Sequence, residues 1–354
     1  MAYLNRTTKQ WQDIDTAHHL HPFTDYKSLA KEGTNVIVKA DGAHLTNTDD
    51  KQFLDAMSGL WCVNVGYGRK NLAEVAYKQM QELPYYNSFF KSATAPSIEL
   101  AQQLAEIAPN DLNHAFFSSS GSEANDTAIK IVWYYHASLG NPQKRKIISR
   151  KGSYHGVTLA AASLTALDYA QKGFGLPLDF AIHTTWPHYF QNSNENESEE
   201  DFCNRLVSDL EKLIENEGAE NIGAFIAEPL MGAGGVIIPP KNYFALVQPV
   251  LKKNNILFIA DEVICGFGRT GNLWGCETYN IKPDIIISSK CLTAGYFPMG
   301  AVIVNKEFAD EFTSVSEEAE EFPHGFTAGG HPVGCAIALK AIDVIINEGL
   351  LENV

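Results

Sequence analysis

Lys290 is the residue whose position most needs a reason. In "KPDIIISSKCLTAGYFPMGAVIV" it closely follows Ile285, Ile286 and Ile287, and an apolar run returns at Met299. Such a run reads as a buried strand, and lysine is almost never fully buried without a reason. The side chain either snorkels to water or serves as an imine-forming amine, whose pKa falls on desolvation. Asp261 raises a similar question in "LFIADEVICGFGRTG", where a carboxylate closes another largely apolar run. It must find a buried partner or face a site. "FFSSSGSEANDTAIK" reads as a strand, a Ser/Gly turn and a helix. Ser120, Gly121 and Ser122 would offer hydroxyls and backbone N–H groups to an anion at the helix N-terminus, although a serine N-cap alone explains the same residues. "RKGSYHGVT" sets Tyr154 and His155 in a glycine-flanked loop. Tyr154 is there either as a packing aromatic or as a plate for a flat ligand.

An imine-forming lysine, an acid, an aromatic plate and a phosphate cradle are the parts that pyridoxal 5′-phosphate (PLP) requires. Rival chemistries leave weaker marks. "GFGRTG" (Gly266, Gly268, Gly271) fits a dinucleotide fingerprint, but "NLWGCETYNIKPD" after it is no apolar helix, and the oxidoreductase reading is rejected. No H-E-x-x-H occurs, and "HHLH" from His18 to His21 reads as a solvated polar run, so no metal site is expected.

The elements that must hold these residues alternate along the chain. Strand candidates begin at His114, Lys146, Ala181, Ile222, Ile256, Asp284 and Gly300, with helical stretches such as "SEANDTAIKIVWYYHAS" and "DFCNRLVSDLEKLIENEG" between them. Near-continuous apolar strands separated by amphipathic helices indicate an α/β fold, a mostly parallel sheet with helices on both faces. Ligands of such sheets bind beyond the carboxyl ends of the strands, where the motifs above fall. Nearer the start, "NVIVKADGAHLTNTD" reads as a hairpin around Asp41-Gly42. In "NLAEVAYKQMQEL", Leu72, Val75, Ala76, Gln79, Met80 and Leu83 trace one helical face.

The 354 residues, 45% hydrophobic, suffice for one large domain with smaller additions. The net charge of −15, without a basic patch, disfavours nucleic acid and anionic membranes as partners. The six cysteines are scattered and form no C-x-x-C pair. With no signal-like start or bilayer-length apolar run, this points to a reducing, cytoplasmic setting.

Taken in order, "SGLWCVNVGYGRKNLAEVAYKQMQELPYYNSFF", "SSGSEANDTAIK", "SYHGVTLAAASLT", "AEPLMGAGGVIIPP", "ADEVICGFGRTG", "SKCLTAGYFPMGAV" and "FPHGFTAGGHPVGCAIALK" resemble the class III aminotransferases of PLP fold type I. The ω-amino acid/amine:pyruvate branch is the most similar. The resemblance implies a homodimer with shared active sites. Its reaction would be a ping-pong transfer of an amino group from an ω-amino acid or primary amine to an oxo acid such as pyruvate. Lys290 is similar to the lysine that forms the Schiff base and carries the proton, and Asp261 to the acid that keeps the pyridine nitrogen protonated. Tyr154 matches the stacking residue and Val263 the apolar contact on the opposite ring face. Ser120, Gly121 and Ser122 match the phosphate turn, Glu228 the bracing acid, and Thr327 the residue that reaches the partner's cofactor phosphate. Phe23, Trp61, Phe89, Phe90 and Ala233 match substrate-pocket positions. By the same resemblance, residues 1–65 contribute to a small domain, 66–330 form the large PLP-binding domain, and 331–354 begin a helix leading to a C-terminal small domain that is missing here. Family members are longer, and that region holds the arginine for a substrate carboxylate, which Arg69, Arg150 and Arg269 do not match. The alternatives are other class III chemistry (an aminomutase or decarboxylase-like reaction), or an inactive truncated chain that only dimerises or binds.

Overall fold

The computed structural model of the chain describes residues 6–319 and 321–354; residues 1–5, at the head of the expected N-terminal segment, lie outside them. Strands β1 (Ile37–Asp41), β2 (His44–Asn47) and β3 (Gln52–Leu54) form a small antiparallel sheet, with the expected hairpin between β1 and β2. The seven strands β4 (Leu112–Ser118), β5 (Lys146–Arg150), β6 (Ala181–Thr184), β7 (Ile222–Ala227), β8 (Leu257–Asp261), β9 (Ile285–Ser288) and β10 (Gly300–Asn305) form the main sheet in the order β4-β10-β9-β8-β7-β5-β6. β10 alone is reversed, running antiparallel to both β9 and β4; the pairs from β9 to β6 are parallel.

The near-continuous apolar strands are explained by cover on both faces. Successive side chains of a strand point to opposite sides. Ile285 and Ile287 therefore enter one core cluster and Ile286 the other, and all three are 0% exposed. β10 repeats the pattern, with Val302 and Val304 on one side and Ala301 and Ile303 on the other. Full burial of such a side chain stabilises by about 1.5–3 kcal/mol, so the register of the central strands is strongly held. Helix Gly121–Ser138 packs its Ala124, Ala128, Ile131 and Val132 against the first face. Helices Glu199–Glu217, Tyr243–Lys253 and Pro332–Asn347 supply buried residues to the opposite cluster.

Three local features differ from expectation. Met80 lies on the predicted apolar face of helix Lys70–Glu82 yet is 52% exposed, while Leu72 is fully buried. The short β3 has no periodicity signal long enough to register. The chain leaves the last helix at Gly349, at φ 65°, and a single 3₁₀ turn (Leu350–Asn353) follows, with Leu350 and Leu351 packed against the core. Among the described residues no helix is long and apolar enough to cross a membrane, and all six cysteines are free.

Candidate active site

A cavity of about 440 Å³ opens at the carboxyl edge of the main sheet. Asp261 ends β8, Lys290 follows β9 by two residues, Glu228 directly follows β7, and Tyr154 lies in the loop after β5. Ser120, Gly121 and Ser122 reach it from the turn after β4, and Val263 from just beyond β8. Because β10 is reversed, Met299, which leads into it, arrives at this same edge. The connection from Lys290 to Met299 therefore starts and ends on the cavity, contributing Thr293, Gly295, Phe297 and Pro298 to its wall.

Asp261 resolves the question its sequence position posed: it has buried partners and also faces the cavity. It is 3% exposed. Its Oδ2 pairs with Nδ1 of the fully buried His155 imidazole at 2.7 Å and accepts from Asn125 Nδ2 at 3.3 Å. Its Oδ1 accepts from the Val263 backbone N–H at 3.1 Å. The carboxylate is thus fixed by contacts from three separate segments. Neither His155 nor Asn125 is among the expected site residues, although His155 shares the glycine-flanked loop of Tyr154; nothing local in the sequence indicates which acid that histidine meets.

Glu228 lies beside this pair. Its Oε1 accepts from the Tyr154 backbone N–H at 3.1 Å and its Oε2 from that of Gly232 at 2.8 Å, while its carbonyl accepts from Arg150 Nη2 at 2.6 Å. Burial pushes the Glu228 carboxyl above its ordinary value, against the pull of His155 and Arg150 and with the nearby Asp261 charge adding to the rise. Burial also raises the Tyr154 phenol, helped by Tyr169 and Asp261. The half-buried Lys290 donates from Nζ to the Leu60 carbonyl at 3.2 Å. That carbonyl is presented by a run of left-handed residues, with φ of 50° at Ser58, 57° at Gly59, 74° at Leu60 and 58° at Trp61. The same run brings Cys62 to the cavity wall.

Opposite Lys290, helix Gly121–Ser138 points its N-terminus into the cavity. The Ser120 hydroxyl accepts from the Glu123 N–H at 3.2 Å, so the N-cap reading holds for this residue. The first N–H groups of a helix lack intrahelical acceptors, which leaves those of Gly121 and Ser122 free to meet an anion. The space is shaped for close approach. A Cβ on Gly121 would stand 3.1 Å from both Val263 methyls, and one on Gly156 would stand 2.5 Å from Ser122 Oγ and 2.9 Å from Ser122 Cα. Gly156 also has φ of +132°. Gly156→Ala is therefore expected to destabilise the fold by about 1–3 kcal/mol, read as a lowered thermal midpoint together with weaker binding of added PLP. An unchanged midpoint and affinity would remove this close approach from the site.

Comparison with known proteins places this geometry. A profile described as "Aminotransferase class-III" matches residues 28–354. The chain belongs to the class III aminotransferases. It is 46% identical over 350 residues to the putrescine–pyruvate aminotransferase of Pseudomonas aeruginosa, covering 99% of this chain and 76% of that one. It is 49% identical over 320 residues to the chloroplastic gamma aminobutyrate transaminase 3 of Solanum lycopersicum, where the match covers 90% of this chain and 62% of the relative. Among solved structures, an omega-aminotransferase from Paracoccus denitrificans superposes with a TM-score of 0.94 at 50% identity, over 97% of this chain and 76% of the other. The PMP-bound aminotransferase from Vibrio fluvialis gives the same figures.

Class III aminotransferases are PLP-dependent, and the residues present here fit that cofactor. The cavity places a primary amine, a carboxylate clamped by a buried imidazole, a tyrosine and a glycine-lined helix N-terminus around one space. The remaining family-matched residues lie elsewhere in this single chain. Thr327 is exposed, and its carbonyl accepts from the Tyr85 hydroxyl. Phe90 is 87% and Phe23 is 72% exposed, and Phe89 lines a separate cavity with His324, Gly325 and Phe326. Ala233 is half-buried in the turn after β7. Trp61 turns its carbonyl toward Arg269 and Cys291. As for the arginines, Arg69 pairs with Glu348 and Arg150 is fully buried.

Proposed function

We propose that this chain carries out PLP-dependent transfer of an amino group from a primary amine or ω-amino acid to an oxo acid such as pyruvate. The observation that carries this reading is the convergence of Lys290 and Asp261, at the ends of adjacent parallel strands, on one cavity capped by a helix N-terminus. The cofactor supplies an aldehyde that condenses with amines and a protonated ring that accepts the electrons of a cleaved C–H bond.

The chain's own residues do the rest. Lys290 would hold the cofactor through its amine, and the same Nζ would carry a proton to and from the substrate carbon. Asp261, kept in place by His155, Asn125 and the Val263 N–H, would keep the ring nitrogen protonated through a charge-assisted bond. Tyr154 and Val263 would hold the ring, and the N–H groups of Gly121 and Ser122, with the Ser120 turn, would receive the phosphate. Glu228 braces the Tyr154 loop beside Asp261.

Two copies of the chain share sites in this reading. The exposure of Thr327 and Phe90 supports their presentation to a partner, with Thr327 on its cofactor phosphate and the Phe89–Phe90 pair at its substrate pocket; Trp61, Phe23 and Ala233 belong to the substrate pockets as the family resemblance implies. Residues 1–65, 66–330 and 331–354 divide between small and large domains as the family resemblance implies, and the setting is cytoplasmic. Paired assays test the reading: amine-dependent conversion of pyruvate to alanine is expected, with no isomerised product and no carbon dioxide. Product formation without any oxo-acid acceptor would replace transamination with another class III reaction.

A further inference from the structure

The N-terminal helix ends in a side-chain cluster that the reaction above does not use. Asp15 lies in the last turn of helix Thr8–His18, and His19 caps that helix by donating its N–H to the Asp15 carbonyl, so their side chains share one face at i and i+4. His19 Nδ1 lies 3.0 Å from Asp15 Oδ1. The chain then turns back through the exposed Leu20 and brings His21 Nε2 to 2.9 Å from the same Oδ1. The ligand atoms of these three residues all lie within 4.8 Å of one another, and the two imidazole centroids are 4.2 Å apart. A third segment completes the arrangement: the Thr34 hydroxyl donates to Asp15 Oδ2, and Gln12 holds the Thr34 carbonyl at 3.1 Å. The cluster borders a cavity of about 400 Å³ walled by Trp11, Ile14 and Val36. The expected solvation of "HHLH" holds for His19, whose side chain is 60% exposed, but His21 is 17% and Asp15 13% exposed.

We propose that Asp15, His19 and His21 bind a divalent transition ion of the zinc class. Two imidazoles and one carboxylate form a borderline donor set that suits Zn²⁺ over Mg²⁺ or Ca²⁺, and three protein ligands leave a fourth position for water. Bonds of about 2.0–2.1 Å in a tetrahedron separate ligand atoms by about 3.3 Å. The 2.9 Å and 3.0 Å separations to Oδ1 need only widen by about 0.3–0.4 Å to admit the ion. Thr34 supplies the outer hydrogen bond that orients the carboxylate. The three ligands lie between residues 15 and 21, so the ion closes the turn after the helix, and the Thr34 hydroxyl on Asp15 Oδ2 links that turn to the segment that leads into β1. The ion also fixes the turn carrying Phe23, whose ring meets Tyr169 edge-on at 6.3 Å.

Zinc titration into the chelator-treated, PLP-loaded full chain tests this by calorimetry and elemental analysis. One equivalent per chain is expected, with a raised thermal midpoint as linkage requires. His19→Ala, His21→Ala and Asp15→Asn should each weaken binding about tenfold or more. His18→Ala, in the same cavity wall, should not, and neither should Lys290→Ala, which separates this site from the cofactor's. Cobalt substitution reads the unmutated chain: d–d bands of tetrahedral intensity are expected. A featureless cobalt spectrum, the absence of stoichiometric zinc, or zinc that persists undiminished in the histidine variants would overturn the site, the last meaning an adventitious ion only.

Discussion

Lys290→Ala is expected to lose amine transfer by roughly four orders of magnitude or more. The substitution removes two functions at once. One is the amine that holds the cofactor; the other is the proton carrier, and a positioned acid–base group alone contributes about 10²–10⁴-fold. The fold should tolerate the change, because the half-buried side chain makes a single hydrogen bond, from Nζ to the Leu60 carbonyl. Residue 290 sits at φ 44°, where alanine is no worse placed than lysine. PLP should still bind through the helix N-terminus and the Asp261 carboxylate. Borohydride reduction followed by peptide mapping should tag Lys290 in the parent and no residue in the variant. Near-parental turnover, or a tag on another side chain, would remove Lys290 from the reaction.

Asp261→Asn should lower turnover about 10²–10³-fold, the scale of removing one preorganised electrostatic partner from a buried site. Asparagine keeps the shape, and its amide oxygen can still accept from His155 and Asn125, but its NH2 then faces the Val263 N–H that the carboxylate accepted. A buried donor left without an acceptor costs about 1–3 kcal/mol, so the thermal midpoint should fall modestly. A small drop in midpoint with a large fall in kcat, measured where the variant is still folded, is the expected pair of results. Activity within about threefold of the parent would sink the role assigned to the carboxylate.

Lys290 and Asp261 were legible in the sequence because each breaks an apolar run, and an ionisable group at a buried strand end has few inexpensive explanations. The main-sheet strands were legible for the same reason of uninterrupted burial. Partners brought together by folding were not. His155 meets Asp261 across 106 positions and Asn125 meets it across 136, and no local pattern records such pairings. Cys62 reaches the cavity only because Ser58, Leu60 and Trp61 adopt positive φ, which side-chain chemistry does not announce. Phe23, Phe89 and Phe90 follow from family likeness alone, and in one chain Phe23 and Phe90 are exposed while Phe89 lines a separate cavity. Met80 shows the limit of periodicity: a helical face extends beyond the area its neighbours cover.

The reversed strand β10 has a consequence for how such a site can diverge. One short connection, anchored at both ends by central strands, supplies Lys290, Thr293, Gly295, Phe297, Pro298 and Met299 to the same wall. Exchanging the residues between its fixed ends reshapes the space around the reacting atoms. The paired strands on either side keep their alignment, so substrate preference can drift through this lip while the framework beneath it stays unaltered.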